Sequence, residues 1–277
     1  MLLANDNWKI PPVHPSISKE QVHVWCACLE QRESRIQQLE SILSDEEQCR
    51  AQRFYFQKDR DHFIVARGVL RDILCRYLNR QAEQLNFCYN EYGKPMLAKN
   101  FGGLSFNVSH SGNVAIYAVT CGREVGIDVE QIRADFAEEP IAKRFFSPAE
   151  VAVFSDLAAH EKKEAFFCCW TRKEAFIKAT GKGVSFGLDN FDVSLAPDKP
   201  AALLSVKGDK KEAARWSLRN LDIQPDYKAA LAVKGHDWRL QSWQWQSVEK
   251  NTAFTKETNM SNSDFLLNSK LVEKRQA

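Results

Sequence analysis

No stretch of this chain approaches the roughly 20 consecutive apolar residues that a membrane-spanning helix needs. The first residues, Met1 to Trp8, lack the basic segment and long apolar run of a secretory signal. Charge of one sign is missing too. The chain has 38 basic and 36 acidic residues, a net of +2, so no nucleic-acid or membrane-surface footprint is expected. The eight cysteines form no C-x-x-C pair and no Cys/His group with zinc spacing. Cys26-Ala27-Cys28 lies in an alternating run and is read as part of a strand. The thiols are taken as reduced, small hydrophobes, and a cytoplasmic protein is expected. What is present is a globular composition, 44% hydrophobic and 11% aromatic over 277 residues, enough for one large or two modest domains.

Two stretches carry the chemistry. Residues 170–183 predict a helix with a glycine stop, since Gly181 and Gly183 accept positive φ without a Cβ clash. Trp170, Glu174 and Lys178 recur every fourth residue and share a stripe. Alone, Glu174 and Lys178 would be an ordinary surface ion pair. About forty residues earlier, Val125, Ile127 and Val129 alternate with Gly126, Asp128 and Glu130, which predicts a strand with one apolar and one acidic face. Asp128 and Glu130 then point the same way, about 7 Å apart. A solvated acidic edge is the plain alternative. Together, Asp128, Glu130 and Glu174 make a hard-oxygen set suited to Mg²⁺.

Other segments place the surroundings. Gln21 to Leu29 predicts a strand in which His23 is a sheet side chain. Ser34 to Leu43 predicts a short helix. Ser44-Asp45-Glu46-Glu47 is a capping box, followed by a helix carrying Arg50 and Arg53 and a longer one through Ile64 and Leu74. Lys58 lies between them. Glu91 to Pro95 predicts a turn in which Pro95 holds Lys94 extended, suited to a phosphate or nucleotide contact. Leu104 to Val108 predicts a strand ending at Ser109-His110-Ser111. Ser109 adjacent to His110, without a G-x-S-x-G elbow, does not suit a nucleophile–base pair. Val114 to Thr120 predicts a central strand. Ser147-Pro148-Ala149-Glu150 repeats the earlier capping box, a sign of internal duplication. Residues 184–234 predict four short strands behind the Glu174 helix, with Trp238, Trp243 and Trp245 covering an edge of the core. Residues 251–277 turn polar and predict a disordered tail, with a helical turn around 265–271.

Four ordered blocks, Tyr92-Gly93-Lys94-Pro95, Phe106 to Ser111, Gly126 to Glu130, and Trp170-x-x-Lys173-Glu174-Ala175-x-x-Lys178, resemble the motifs of the Sfp-type 4′-phosphopantetheinyl transferases. The resemblance runs from about residue 44 to about residue 234. It implies an α+β fold of two similar halves, each a small, mostly antiparallel sheet packed by a long helix, with a pseudo-twofold relation and the active site at the seam. Residues 1–122 would form the N-terminal half, 123–250 the C-terminal half, and 251–277 the tail. It implies a monomer that uses coenzyme A, Mg²⁺ and an apo acyl or peptidyl carrier protein, in fatty-acid, polyketide or peptide synthesis. Asp128, Glu130 and Glu174 would hold the metal. Glu174, Lys178 and His110 would be catalytic. Arg50, Lys58, Lys94, Pro95, Ser109, His110 and Lys178 would bind coenzyme A, with Arg50 and Lys58 on the 3′-phosphate. Glu47 stands where some members carry a base. Two other functions remain open at this point: a metal-dependent nucleotide pyrophosphatase using water, and a non-catalytic module that binds coenzyme A or a carrier.

Overall fold

The computed structural model describes residues 8–99, 101–133, 138–196 and 199–246; the expected tail and its helical turn lie outside the described residues. The described part builds one arrangement twice. The first copy runs β1 (Gln21–Cys28), α1 (Glu33–Glu40), α2 (Asp45–Ala51), α3 (Gln57–Leu78), β2 (Phe87–Tyr89), β3 (Pro95–Leu97), β4 (Leu104–Ser111) and β5 (Val114–Cys121). The second runs β6 (Val125–Gln131), α4 (Glu138–Phe145), α5 (Pro148–Asp156), α6 (Ala159–Thr180), β7 (Phe191–Val193), β8 (Leu203–Val206), α7 (Lys210–Ala213), β9 (Trp216–Asn220) and β10 (Tyr227–Lys234). Of these elements only α7 has no counterpart. In both copies the last strand lies between the first and the one before it, antiparallel to each: β1-β5-β4 and β6-β10-β9. The fold is α+β, as expected.

The duplication extends to the ion pairs. Ser44 and Ser147 each cap a short helix through a complete capping box with Glu47 and Glu150. Each glutamate is buried and meets a base fifteen residues into a 22-residue helix: Arg71 Nε at 2.6 Å in α3, Lys173 Nζ at 2.7 Å in α6. Both bases also donate to two loop carbonyls, Ala82 and Leu85 in the first half, Leu188 and Phe191 in the second. A buried cation survives there because a carboxylate and two carbonyls replace its water.

The layers follow from where each strand's two faces go. One apolar cluster joins α3 to Trp25, Tyr117 and Val119 of the first sheet. A second joins α6 to Ala230 and Ala232 of the second. A third lies between the sheets, where Val24 and Ile116 meet Ile127, Val129 and Leu231. Each sheet is therefore covered on both faces, and β5 is buried from Val114 to Thr120, as its unbroken apolar run predicts.

The structure departs from expectation at two strands and, at a third, rules out the plain alternative. Strand β4 continues through Ser111 instead of ending at Val108, because its ladder with β5 persists to Ser111 opposite Val114. Strand β6 has no solvated acidic face: Asp128 is 2% exposed, and α6 lies over that side. Gly126 allows the approach, since a Cβ there would stand 2.1 Å from the Ala175 carbonyl oxygen. Trp243 does more than cover an edge. It belongs to β11 (Arg239–Gln244), which adds to the first sheet parallel to β1. Among the described residues no helix is long and apolar enough to cross a membrane.

Candidate active site

Strands β4 and β6 run side by side at the seam of the halves, and side chains of β4 bridge them. Asn107, Ser109 and Ser111 occupy alternate positions, so all three reach toward β6. Asn107 Oδ1 accepts from the Ile127 backbone N–H at 2.8 Å. Ser109 Oγ donates to Asp128 Oδ1 at 2.8 Å. Ser111 Oγ donates to Glu130 Oε2 at 2.9 Å and accepts from the Gln131 N–H at 3.1 Å. Three polar side chains thus fix the backbone and both acids of β6.

Helix α6 supplies the rest. Lys178 Nζ lies 2.6 Å from Asp128 Oδ1 and donates to Ser109 Oγ at 2.9 Å. Asp128 Oδ2 is buried without a hydrogen-bond partner among the described residues. The Glu174 side chain, one turn before Lys178, has no hydrogen bond or ion pair among the described residues. Burial, then the Asp128 charge, raises its carboxyl to about 7, against a smaller opposing effect of Lys178. Burial and the neighbouring Asp128 also raise Glu130, and burial raises Asp128 despite Lys178 and Ser109. Glu130 and Glu174 both feel the Asp128 charge, and one lysine does not neutralise the group.

Among the described residues no three acidic, histidine or cysteine side chains form a ready-made metal cage. The chemistry of the donors still fits a hard cation. All are carboxylate oxygens, one is buried and unbonded, and the Asp128 charge destabilises both Glu130 and Glu174.

Beside the acids lies a cleft of about 310 Å³, lined by Arg50, Arg67, Tyr89, Pro95, His110 and Lys178 among others. Arg50, in the last turn of α2, places its guanidinium 5.3 Å from the Phe63 ring centroid. His110 stands exposed at the rim of β4. Loss of solvation against the cleft wall lowers its pKa, and the Lys178 and His62 charges add to this. Pro95 is in the lining.

Lys58 and Lys94 go elsewhere. Lys58 is not in the cleft lining; it sits in the first turn of α3 near His62. The turn sequence predicts Lys94 facing a phosphate, yet its ammonium is buried and donates to the Val125 and Ala179 carbonyls, tying the start of β6 to the end of α6. Burial lowers it to about 8. The turn aims inward because Asn90 Oδ1 accepts from the Tyr92 and Lys94 N–H groups while its Nδ2 donates to Gly181 O. Ser109 lines the cleft, but its hydroxyl is spent on Asp128 and Lys178. Asn107, Ser111, Arg67 and Tyr89 were not singled out from the sequence. The period-two run of polar residues at 107, 109 and 111 is a visible signal for the first two. Arg67 is one base among many on α3.

The model for the N-terminal part of a 4′-phosphopantetheinyl transferase matches residues 25–122, and the 4′-phosphopantetheinyl transferase superfamily model matches residues 124–232. The 4′-phosphopantetheinyl transferase HetI of Nostoc sp. is 40% identical over 240 residues, covering 86% of this chain and 98% of its own. The 4′-phosphopantetheinyl transferase Sfp of Bacillus subtilis is 32% identical over 201 residues, covering 72% of this chain and 85% of its own. The 4′-phosphopantetheinyl transferase psf-1 of Bacillus pumilus is 36% identical over 201 residues, covering 72% and 82%. With two sheets built alike, acids and a lysine meeting at their seam, and these relatives spanning both halves, the chain belongs to the 4′-phosphopantetheinyl transferase superfamily and to that class of enzyme.

Proposed function

We propose that this protein transfers the 4′-phosphopantetheine group of coenzyme A to a serine hydroxyl of an apo acyl or peptidyl carrier protein, with Mg²⁺, and releases adenosine 3′,5′-diphosphate. One observation carries the proposal: the unbonded Glu174 carboxyl, raised to about 7, stands by an acidic strand and a cleft lined by bases. A group titrating there can take a proton near neutral pH.

The serine oxygen bonds to the phosphorus that carries pantetheine, and the anhydride bond to the nucleotide's phosphate breaks. The serine proton goes to Glu174. The developing charge on the leaving oxygen meets the Lys178 ammonium. His110, at the rim, donates to a phosphate. Arg50 meets the nucleotide end. Asp128, Glu130 and Glu174 would hold Mg²⁺, whose charge neutralises the phosphates when bound; it would also lower the Glu174 carboxyl, so the metal and base roles of Glu174 compete. Asn107, Ser109 and Ser111 position the acids of β6. Both sides of the seam come from one chain, so a monomer suffices.

The test is intact mass after incubation with coenzyme A, Mg²⁺ and a panel of apo carriers. A phosphopantetheine mass gain on a carrier supports the proposal. Cleavage of coenzyme A without that gain would make the protein a pyrophosphatase instead.

A further inference from the structure

The turn between β2 and β3 belongs to the first half, yet it grips the helix that carries Glu174 and Lys178. Gly93 and Pro95 line the cleft, whereas Lys94 between them lines a separate cavity of about 570 Å³ with Val125, Ala179 and Gly181. The Lys94 ammonium donates to Val125 O at 3.0 Å and to Ala179 O at 3.2 Å. Ala179 lies in the last turn of α6, where carbonyls lack a partner within the helix and a cation suits the helix end. Asn90 Nδ2 adds a third bond, to Gly181 O at 2.7 Å, while its Oδ1 accepts from the Lys94 N–H at 2.8 Å. Gly181 ends α6 in the left-handed region, and a Cβ there would stand 3.1 Å from Asn90 Nδ2.

These anchor points lie close to the acids along both elements. Ala179 directly follows Lys178, and Val125 lies three residues before Asp128. Lys178 Nζ meets Asp128 Oδ1 at 2.6 Å across the gap that Lys94 closes. Gly126 lets α6 come near β6 but has no side chain to interlock with it. Without the ammonium, the Val125 and Ala179 carbonyls would lose a shared donor and repel each other. We propose that Lys94, with Asn90, is a positioning clamp: it fixes the end of α6 against the start of β6 and so sets the geometry of Lys178 and Glu174 for transfer. The clamp rests on the reaction proposed above and places one of its determinants on the far side of the turn from the nucleotide cleft. A shift of about 1 Å at reacting groups can cost about 100-fold in rate, so a small slackening shows in turnover.

The experiment compares wild type, Lys94→Met and Asn90→Ala by single-turnover transfer at saturating coenzyme A and by calorimetric binding of coenzyme A. Each rate is scaled to the folded fraction read from melting curves. Lys94→Met should slow transfer about 10- to 100-fold while coenzyme A affinity stays within about threefold, the pattern of an interaction felt only in the transition state. Asn90→Ala keeps the ammonium and should show a smaller loss of the same kind, so it carries the test if Lys94→Met does not fold. In a Lys178→Met background, Lys94→Met should cost less than in wild type, as for two residues on one route. A parallel fall in rate and affinity would make Lys94 a nucleotide contact and overturn the clamp. Unchanged rates in both variants, or an equal cost in both backgrounds, would do the same. Hydrogen exchange reads the clamp without any transfer: the last amides of α6 should exchange faster in both variants, and unaltered exchange overturns it. Absence of transfer by wild type to any apo carrier would instead overturn the proposed reaction, with exchange still deciding the clamp.

Discussion

Trp25 stands in the first half where Asp128 stands in the second. Trp25 precedes the Ser44 cap by the same distance along the chain as Asp128 precedes the Ser147 cap, and both lie on the strand that opens their half. Asp72 and Arg76 likewise hold the places in α3 that Glu174 and Lys178 hold in α6. The consequences differ. Lys178 pairs with Asp128 at 2.6 Å, whereas the Arg76 guanidinium lies over the Trp25 ring at 5.5 Å. Asp72 Oδ2 accepts from Arg76 and from Trp245 Nε1, at 2.6 and 2.7 Å. The first half keeps the helix stripe but has no acid on its strand. One fold built twice thus carries one set of acids.

Replacing Glu174 with Gln should lower transfer by at least about 100-fold, the usual size of a lost acid–base contribution. Affinity for coenzyme A should change little, since Glu174 holds no base of the cleft in place. Single-turnover mass measurement and calorimetry together separate the two. Full activity in this variant would remove Glu174 from the chemistry.

The same residue gives a pH signature. Its carboxyl titrates at 4.5 as an unperturbed group and at about 7 in the fold. Between those values the folded state binds more protons than the unfolded chain, so stability falls as pH rises through that window. The melting temperature of metal-free protein should therefore drop from pH 5 to pH 7.5, and Glu174→Gln should lessen the drop. A wild-type curve parallel to that of the variant would contradict the assignment.

Gly126→Ala should fail. The new Cβ would lie 2.1 Å from Ala175 O and 2.2 Å from Ala179 N, both backbone atoms of α6 that cannot swing away. We expect insoluble protein, or folded protein at least 2 kcal/mol less stable with transfer lost, from overpacking that pushes α6 off β6. Urea denaturation and expression yield decide it.

Lys173→Met should cost about 3–5 kcal/mol, the penalty for leaving a buried partner charge uncompensated. It strands Glu150 and two carbonyls at once. Adding Glu150→Gln should restore part of the loss. Specific activity of the folded fraction should stay within about twofold, because Lys173 faces the loops after α6 and not the cleft.

Ser111→Ala removes the donor to Glu130 and the acceptor for the Gln131 N–H. Outer contacts of this kind typically shift metal affinity about 10- to 100-fold. Calorimetric titration with Mn²⁺ should show weaker binding of that order, with the melting temperature lowered by a few degrees at most.

Much of this was legible in the sequence where a local rule decides the outcome. The two capping boxes, the αL stop at Gly181 and the central strand β5 needed only short-range chemistry. The direction of side chains at the seam was not legible. Lys94 reads as a solvent lysine on a turn until the carbonyls of Val125 and Ala179, far along the chain, are brought around it. Ser109 reads as a donor to a ligand until Asp128 arrives at 2.8 Å. Strand β11 was missed because Trp243 and Trp245 fit a covering role equally well, and parallel pairing with β1 joins segments more than 200 residues apart.

That pairing has a consequence for biosynthesis. Strand β1 is made early and gains β5 as its neighbour on one side, but its other edge waits for Arg239–Gln244. Until those residues leave the ribosome, the backbone groups of β1 on that side are bare, a template for pairing with another chain. Ribosomes stalled before codon 239 should display an aggregation-prone nascent chain, and release of the last strand is the event that closes it.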